Sequence, residues 1–177
     1  MSELLIVIML IASLLVSVYY LLLLHDTISS KNAPAIMSPP VALEYISRAL
    51  DVKQGDIVAD LGCGNAEILL YLHGNFPEAK YLGYENGLIP FLKSYLNCIG
   101  KKNIKIIFKD IKKIKLLNAN KIYLYLSPEL MEKVAPLIKK NTTIVSLSYE
   151  LKVIKPTKIV NLKHSSSLAK KIYIYKK

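Results

Sequence analysis

Acidic residues that end three successive apolar segments are the features of this sequence best suited to chemistry. The first is Asp60, which is followed at short range by Gly62, Cys63 and Gly64. Two glycines one residue apart allow a sharp turn and a close approach of the backbone to a ligand. A helix that begins just after them would present free backbone N–H groups to the same ligand. This loop is therefore a candidate binding site.

The residues around the glycines favour a cationic ligand over a dinucleotide. A dinucleotide-binding loop has a small residue at the third position of its glycine pattern, where the helix packs against the strand. That position is Glu67 in this chain, and its negative charge would also face a pyrophosphate. An acid placed directly before the glycines, as Asp60 is, suits a positively charged group instead.

Two further acids follow at equal spacing. Glu85 comes 25 residues after Asp60, and Asp110 comes 25 residues after Glu85. A carboxylate can accept hydrogen bonds from both hydroxyls of a ribose, which we expect of Glu85, and Asp110 can accept one from an adenine amino group. Their neighbours Asn86 and Ile111 are expected to contact the same ligand. Acids also occur at strand ends as ordinary turn formers. Three acids at the ends of successive predicted strands, the first of them beside a glycine loop, favour a binding site.

The elements that must position these acids alternate between strand and helix. The predicted strands are short and apolar, and they cover residues 57–61, 81–84, 104–108, 122–126, 143–149, 159–162 and 171–175. The predicted helices cover residues 39–50, 66–73, 89–99 and 128–139. This alternation predicts an α/β fold with a mostly parallel sheet, whose ligands bind at the carboxyl ends of the strands. The last two strands are predicted to form an antiparallel hairpin, and the connection at 110–121 to be abbreviated.

These residues give the sequence a resemblance to the class I, or seven-strand, S-adenosylmethionine-dependent methyltransferases. The resemblance covers about residues 34–177, and it rests on the loop from Asp60 to Gly64, on Glu85 and on Asp110. It implies a Rossmann-like sheet with a C-terminal antiparallel hairpin, and S-adenosylmethionine as the cofactor. It also implies that Asp60 contacts the methionine part of the cofactor, Glu85 its ribose and Asp110 its adenine.

An uncharged segment at residues 4–24 precedes this domain. Its 21 residues contain no charge, Gly or Pro, and as a helix they would extend about 31 Å, enough to cross a bilayer core of about 30 Å. A signal peptide would instead have a basic start, a shorter apolar stretch and a small-residue cleavage site. A buried core helix would have one polar face. We predict a transmembrane anchor at residues 1–26, a linker at 27–38 and a methyltransferase domain at 39–177.

The basic residues indicate the orientation and the partners of the chain. All 23 Lys and the single Arg follow the apolar segment, so the positive-inside rule predicts a single-pass membrane protein with a cytoplasmic domain. Residues 101–177 carry 19 Lys and 4 acids, which reflects either a surface for anionic lipids or nucleic acid, or compositional drift. The scarcity of Arg argues against nucleic acid but leaves it open. Two cysteines fit a reducing compartment, and the Cys and His residues show no metal-ligand spacing.

The methyl acceptor is expected to enter at the end of the fourth predicted strand, at Tyr125, Ser127 and Glu129. Each residue also has a structural interpretation: Tyr125 as core, Ser127 as a helix N-cap and Glu129 as a first-turn charge. Enzymes that methylate adenine or glutamine share an Asn/Asp-Pro-Pro-aromatic motif at this position. This chain has Ser-Pro-Glu-Leu there, without the amide, which favours an aliphatic amine.

A narrower resemblance favours the same acceptor. The apolar segment, the Pro-containing stretch 34–39 and residues 122–128 are together similar to the membrane-anchored methyltransferases that modify lysines of ATP synthase subunit c and the adenine nucleotide translocase, and to their prokaryotic relatives. The resemblance implies a protein lysine at a membrane as the acceptor. Methylation of a lipid or quinone-like molecule, methylation of RNA, and a non-catalytic cofactor-binding membrane protein are the alternatives.

Overall fold

The computed structural model describes residues 2–29, 38–114, 118–162 and 169–177. Helix α1 (Ser2–Ser29) comes first and continues into the segment that the sequence predicts as linker. The rest of that linker up to residue 37 lies outside the described residues. Within α1 the stretch Glu3–Leu24 is long and apolar enough to cross a membrane, and the side chains of residues 3–21 are exposed.

An α/β domain follows α1. Its helices are α2 (Pro40–Leu50), α3 (Glu67–Asn75), α4 (Leu88–Asn97) and α5 (Pro128–Val134). Its strands are β1 (Ile57–Leu61), β2 (Lys80–Glu85), β3 (Ile104–Phe108), β4 (Lys121–Leu124), β5 (Thr143–Leu147), β6 (Lys158–Asn161) and β7 (Lys171–Lys176). Short 3₁₀ helices follow β3 and α5, at Ile111–Lys113 and Ala135–Leu137.

The seven strands form one sheet in the order β3-β2-β1-β4-β5-β7-β6. Strands β1 to β5 pair in parallel, and β7 is antiparallel to both β5 and β6. The predicted Rossmann-like sheet with its C-terminal antiparallel hairpin is therefore confirmed. The chain changes direction across the sheet between β1 and β4, and such a switch point is where open α/β sheets form a ligand crevice.

A hydrophobic core lies on each face of the sheet. Helices α2 and α3 cover one face with fully buried side chains such as Ile46 and Leu69. Helix α5 covers the other face, where Met131 is 1% exposed. The strand side chains alternate between the two cores, so that Val58 of β1 belongs to the first and Ala59 to the second. Burial of both faces explains why the strands are apolar runs rather than alternating sequences.

Local backbone chemistry shortens two of the predicted elements. Pro136 has no N–H to donate, so the helix predicted to reach residue 139 ends as α5 and gives way to a 3₁₀ turn. Ser148 has a φ angle of +71°, which is incompatible with an extended strand and ends β5 before its predicted end at residue 149.

Candidate functional site

The three acids of the sequence pattern lie at one edge of the sheet. Asp60 is near the end of β1, Glu85 ends β2, and Asp110 follows β3. Since β2 lies between β1 and β3 and all three strands are parallel, their carboxyl ends face the same side. The structure therefore gathers the acids as the sequence predicts.

The glycine loop is held against the end of β2 by its own backbone. The N–H groups of Gly62 and Cys63 both donate to the carbonyl oxygen of Tyr84, at 2.8 and 3.0 Å. Gly62 and Gly64 have φ angles of +82° and +53°, in the left-handed region that glycine adopts without strain. Ala66 enters α3 with a φ of +64°, a conformation that costs a residue with a side chain about 1–2 kcal/mol.

The carboxylate of Glu85 ties this loop to the turn after β2. Its Oε2 accepts a hydrogen bond from the N–H of Gly64 at 2.9 Å, and its Oε1 accepts from the N–H groups of Asn86 and Gly87, both at 2.9 Å. Hydrogen bonds to a charged acceptor are stronger than neutral ones. The sequence predicts a ribose contact for Glu85. The structure adds that the same carboxylate, only 9% exposed, fixes the conformation of the glycine loop.

Cys63, predicted as a cofactor contact, contributes its backbone to the loop and buries its side chain. The residue is 6% exposed, and its Sγ points toward the position of the missing Gly83 side chain. Burial is the main cause that raises the pKa of the Cys63 thiol, which is therefore held in its neutral form.

Asp60 lies in a row of residues that crosses the sheet. Its register partners are Gly83 on β2 and Tyr123 on β4. Because strand side chains alternate, Asp60 faces the same side as Val58, toward α2 and α3. Tyr123 belongs to that same core. A carboxyl group and a tyrosine side chain thus lie on neighbouring strands at the switch point of the sheet.

Asp60 is a buried acid. It is 3% exposed, and burial, with a smaller contribution from the negative charge of Glu85, raises its pKa to about 8. Among the residues that the structure describes, no Lys or Arg forms a salt bridge with Asp60. A cation placed beside this carboxyl group would favour its ionised form. The environment is consistent with the positively charged ligand that the sequence predicts.

Tyr123 and Ser38 form a polar pair beside Asp60 that the sequence motifs did not reveal. Tyr123 is 2% exposed, and its Oη lies 2.8 Å from Ser38 Oγ. Burial raises the pKa of the Tyr123 hydroxyl well above its ordinary value, although the hydrogen bond with Ser38 opposes this. Ser38 does not cap the helix that follows it, because the N-cap of α2 is Pro39 and no side chain caps this helix.

Asp110 has a local partner. Its Oδ1 accepts from the N–H of Lys112 at 2.9 Å, and its Oδ2 lies 3.9 Å from Lys112 Nζ, so Asp110 caps the 3₁₀ helix after β3. That helix is the beginning of the abbreviated connection that the sequence predicts, of which residues 115–117 lie outside the described part. Ile111 is 8% exposed and packs into the core, whereas Asn86 is exposed. The contact of Asp110 with an adenine ring, and those of Asn86 and Ile111 with the cofactor, stay predictions.

The predicted acceptor residues follow β4 in different surroundings. Ser127 is the N-cap of α5 without a capping hydrogen bond, and its Oγ is buried with no partner among the described residues. Tyr125 is half-buried and its hydroxyl forms a hydrogen bond with Ser148 after β5. Glu129 is exposed and forms a salt bridge with Lys133 at 2.5 Å, so its participation in a site stays a prediction.

Gly83 provides the space into which the glycine loop and α3 pack. A Cβ added to it would lie 2.8 Å from Cys63 Sγ, 2.8 Å from Ile106 Cδ1 and 2.9 Å from Leu69 Cδ1. We expect Gly83→Ala to lower the free energy of unfolding by about 1–3 kcal/mol in chemical denaturation, because overpacking forces these groups to move.

Gly74→Ala is the matched control for this substitution. Gly74 lies in α3, and nothing lies within 4 Å of an added Cβ. Its replacement should leave stability unchanged or raise it by up to about 1 kcal/mol, since alanine restricts the unfolded chain. Equal effects of the two substitutions would show that the space at Gly83 is not required.

Comparison with known proteins identifies the class of fold. No family model matches the sequence, and no curated protein is significantly similar to it in sequence. Solved structures are similar to it in three dimensions. One is an RNA methyltransferase from Salinibacter ruber in complex with S-adenosyl-L-homocysteine, which is 20% identical with a TM-score of 0.71 over 79% of this chain and 92% of that one.

Two further structures support the same conclusion. An S-adenosylmethionine-dependent O-methyltransferase from Thermotoga maritima is 16% identical, with a TM-score of 0.63 over 85% of this chain and 69% of that one. A precorrin-6y C5,15-methyltransferase from Geobacter metallireducens is 13% identical, with a TM-score of 0.58 over 82% and 93% of the two chains. The domain after α1 has the class I methyltransferase fold. These proteins are named for different methyl acceptors, so the fold alone does not identify the acceptor of this chain.

Proposed function

We propose that this chain is an S-adenosylmethionine-dependent methyltransferase, held at a membrane by α1, that methylates a lysine of a membrane protein. The observation that carries the proposal is the loop closed by Glu85 and Gly64 at 2.9 Å, with Asp60 buried at the same edge of the sheet. The similar structure from Salinibacter ruber contains S-adenosyl-L-homocysteine, the product that remains when this cofactor has given up its methyl group.

The residues at the carboxyl edge fit this cofactor in charge and hydrogen bonding. When bound, S-adenosylmethionine supplies a methyl group on a positively charged sulfur. Asp60 would place a carboxylate near the cationic methionine part. Glu85 would accept hydrogen bonds from the ribose hydroxyls with oxygens that three backbone N–H groups already orient. Asp110 would accept one from the adenine. The chain then contributes orientation, which can account for several kcal/mol of the barrier.

The acceptor side of the site suits an aliphatic amine. A lysine must lose its proton before it attacks, and its free pKa is about 10.4, so the pocket must favour the neutral amine. The hydroxyl groups of Ser127 and Tyr125 follow β4 and provide neutral hydrogen-bond acceptors. Ser127 Oγ is buried without a partner among the described residues, at a cost of about 1–3 kcal/mol, and it lies in the segment where we expect the lysine to enter. The segment at residues 127–130 lacks the amide side chain that methyltransferases of planar nitrogens have at this position.

Two features support a membrane anchor with the domain in the cytoplasm. The side chains of residues 3–21 in α1 are exposed, and a core helix of a soluble protein would bury them. All the basic residues follow this helix. A protein lysine close to the bilayer would then be within reach of the site, whereas soluble substrates would meet it less often.

We expect the protein to stay in the membrane pellet after carbonate extraction. Protease added to intact cells or right-side-out vesicles should spare the domain, because the positive-inside rule orients it to the cytoplasm. Release by carbonate would contradict the anchor. Digestion in intact cells would show the opposite orientation.

RNA is a second candidate acceptor, and two observations favour it. One of the similar structures is named as an RNA methyltransferase, and residues 101–177 carry 19 Lys. The presence of a single Arg in the whole chain weighs against it, since Arg is preferred for bidentate contacts with phosphate and guanine.

Mass spectrometry of the membrane proteome, with and without the gene, tests the lysine acceptor. We expect a methyl-lysine on a membrane protein that disappears with the gene and returns with the wild-type chain. It should stay absent when Asp60→Ala is supplied, because that variant lacks the carboxylate for the cationic part of the cofactor. If no protein changes while an RNA nucleoside or a lipid loses a methyl group, the acceptor belongs to that class and the lysine proposal is wrong.

A further inference from the structure

Helix α4 carries an apolar stripe on the side that faces away from the sheet. Leu92, Tyr95 and Leu96, with Ile99 in the turn after the helix, are 44, 54, 63 and 62% exposed. Their spacing at i, i+3, i+4 and i+7 is that of one face of a helix. On the other side Ser94 is completely buried. The domain therefore leaves a helix face apolar although its core is already covered.

The only charges in this part of the chain are positive. Residues 88–109, which include α4 and β3, contain five Lys and no Asp or Glu. Lys93, Lys102 and Lys105 are exposed around the stripe, and β3 forms an edge of the sheet. Apolar side chains framed by lysines are typical of a surface that lies on anionic lipid headgroups, with the apolar groups at the boundary with the acyl chains.

The position of α1 brings a bilayer to this surface. Helix α1 contacts α4, and Leu22 and Leu23 near the end of its apolar stretch are half-buried. A surface depression of ≈ 380 Å³ between α4 and β3 includes Tyr95 and Ile99 in its lining. A membrane crossed by α1 would thus adjoin the exposed stripe.

We propose that the α4 face, formed by the apolar stripe and by Lys93, Lys102 and Lys105, binds the anionic lipid surface beside α1. This contact goes beyond methyl transfer and rests on the membrane anchor proposed above. A tether alone leaves a domain free to rotate. A domain held by both α1 and the α4 face keeps one orientation, and the carboxyl edge of its sheet then meets only acceptors at a fixed height above the bilayer.

The chain contains no Trp, so single introduced tryptophans report on the contact without background. The full chain is reconstituted in vesicles of phosphatidylcholine and phosphatidylglycerol, with and without brominated acyl chains. Leu96→Trp probes the α4 face, and Leu14→Trp probes α1. Ile159→Trp is the control, because Ile159 is 50% exposed on β6 at the opposite edge of the sheet.

We expect brominated lipid to quench the indoles of Leu96→Trp and Leu14→Trp but not that of Ile159→Trp. Quenching at position 14 without quenching at position 96 would overturn the α4 face and leave the anchor intact. No quenching at position 14 would overturn both. Cofactor binding by the same reconstituted chains, measured by calorimetry, reports separately on the methyltransferase assignment.

A charge reversal tests the anionic partner. Lys102→Glu together with Lys105→Glu, introduced into Leu96→Trp, is expected to remove most of the quenching, since the substituted face would be repelled by the headgroups. The matched control, Lys155→Glu with Lys158→Glu, alters two exposed lysines near the opposite edge and should leave it unchanged. Unchanged quenching in the first variant, or an equal loss in both, would overturn the proposal.

Discussion

Replacement of Glu85 by alanine is expected to weaken the binding of S-adenosylmethionine by at least about tenfold, or about 1.4 kcal/mol. The carboxylate has two tasks in the proposed site. It would accept the ribose hydroxyls, and it already accepts the N–H groups of Gly64, Asn86 and Gly87. The substitution would therefore remove a ligand contact and also release the glycine loop. A lower free energy of unfolding should accompany the loss of binding, because three backbone donors lose their partner.

Titration calorimetry on the full chain in detergent or nanodiscs measures this effect. Asp110→Ala is the comparison, because it removes an acid from the neighbouring strand end whose contacts within the described part of the chain are with Lys112 alone. We expect the Glu85 variant to lose more affinity than the Asp110 variant. The reverse order would contradict the double role of Glu85, as ribose acceptor and as anchor of the glycine loop. Tight binding of NAD in place of S-adenosylmethionine would overturn the assignment altogether.

Asp60→Asn is expected to remove a pH dependence from both cofactor binding and folding. Burial, and to a smaller extent the charge of Glu85, raises the pKa of Asp60 to about 8, so the free protein holds a proton there at neutral pH. A cationic ligand favours the carboxylate, and binding should therefore release that proton. The affinity for S-adenosylmethionine should rise by up to about tenfold per pH unit below this pKa and level off above it.

The stability of the free protein should change in the opposite direction. The folded chain keeps the Asp60 proton between the ordinary pKa of 3.8 and about 8, a range in which the unfolded chain has released it. The contribution of this group to the free energy of unfolding is therefore largest at low pH and is lost as the pH rises to about 8. Calorimetry in two buffers of different ionisation enthalpy counts the released protons, and denaturation at several pH values follows the stability.

The substitution of an exposed acid controls for general charge effects. Glu78→Gln removes one carboxylate from the surface between α3 and β2, and it should leave both pH profiles unchanged. Proton release on cofactor binding that persists in Asp60→Asn would assign the titrating group to another residue.

The sequence predicts the sheet well because its strongest signals are local. Apolar runs of about five residues that end at Leu61, Glu85 or Phe108 are strands in the structure, and Gly62 and Gly64, between β1 and α3, have the positive φ angles that a tight turn needs. The hairpin of the last two strands follows from their short separation. The ends of helices and strands are harder to predict, because a single group can determine where an element stops. The missing N–H of Pro136, for example, ends α5 before its predicted end.

The candidate site is predicted by residue type but not by hydrogen bonding. Glu85 stands out as an acid at a strand end, yet the motif does not show that its partner is the N–H of Gly64, 21 residues away in sequence. The hydrogen bond between Ser38 and Tyr123 joins residues that are 85 positions apart in sequence, and no local sequence motif indicates it. Long-range polar contacts of this kind depend on the register of the sheet, which local patterns do not specify.

The central claim is that this chain transfers a methyl group from S-adenosylmethionine at the site formed by Asp60 and Glu85. The most direct test incubates the full chain with cofactor labelled in its methyl group and with membranes from cells that lack the gene, and then separates protein, lipid and nucleic acid. The account predicts label in a protein lysine with the wild-type chain and none with Asp60→Ala or Glu85→Ala. Absence of label from every fraction, while the wild-type chain is folded and the membranes contain unmodified acceptor, would contradict it.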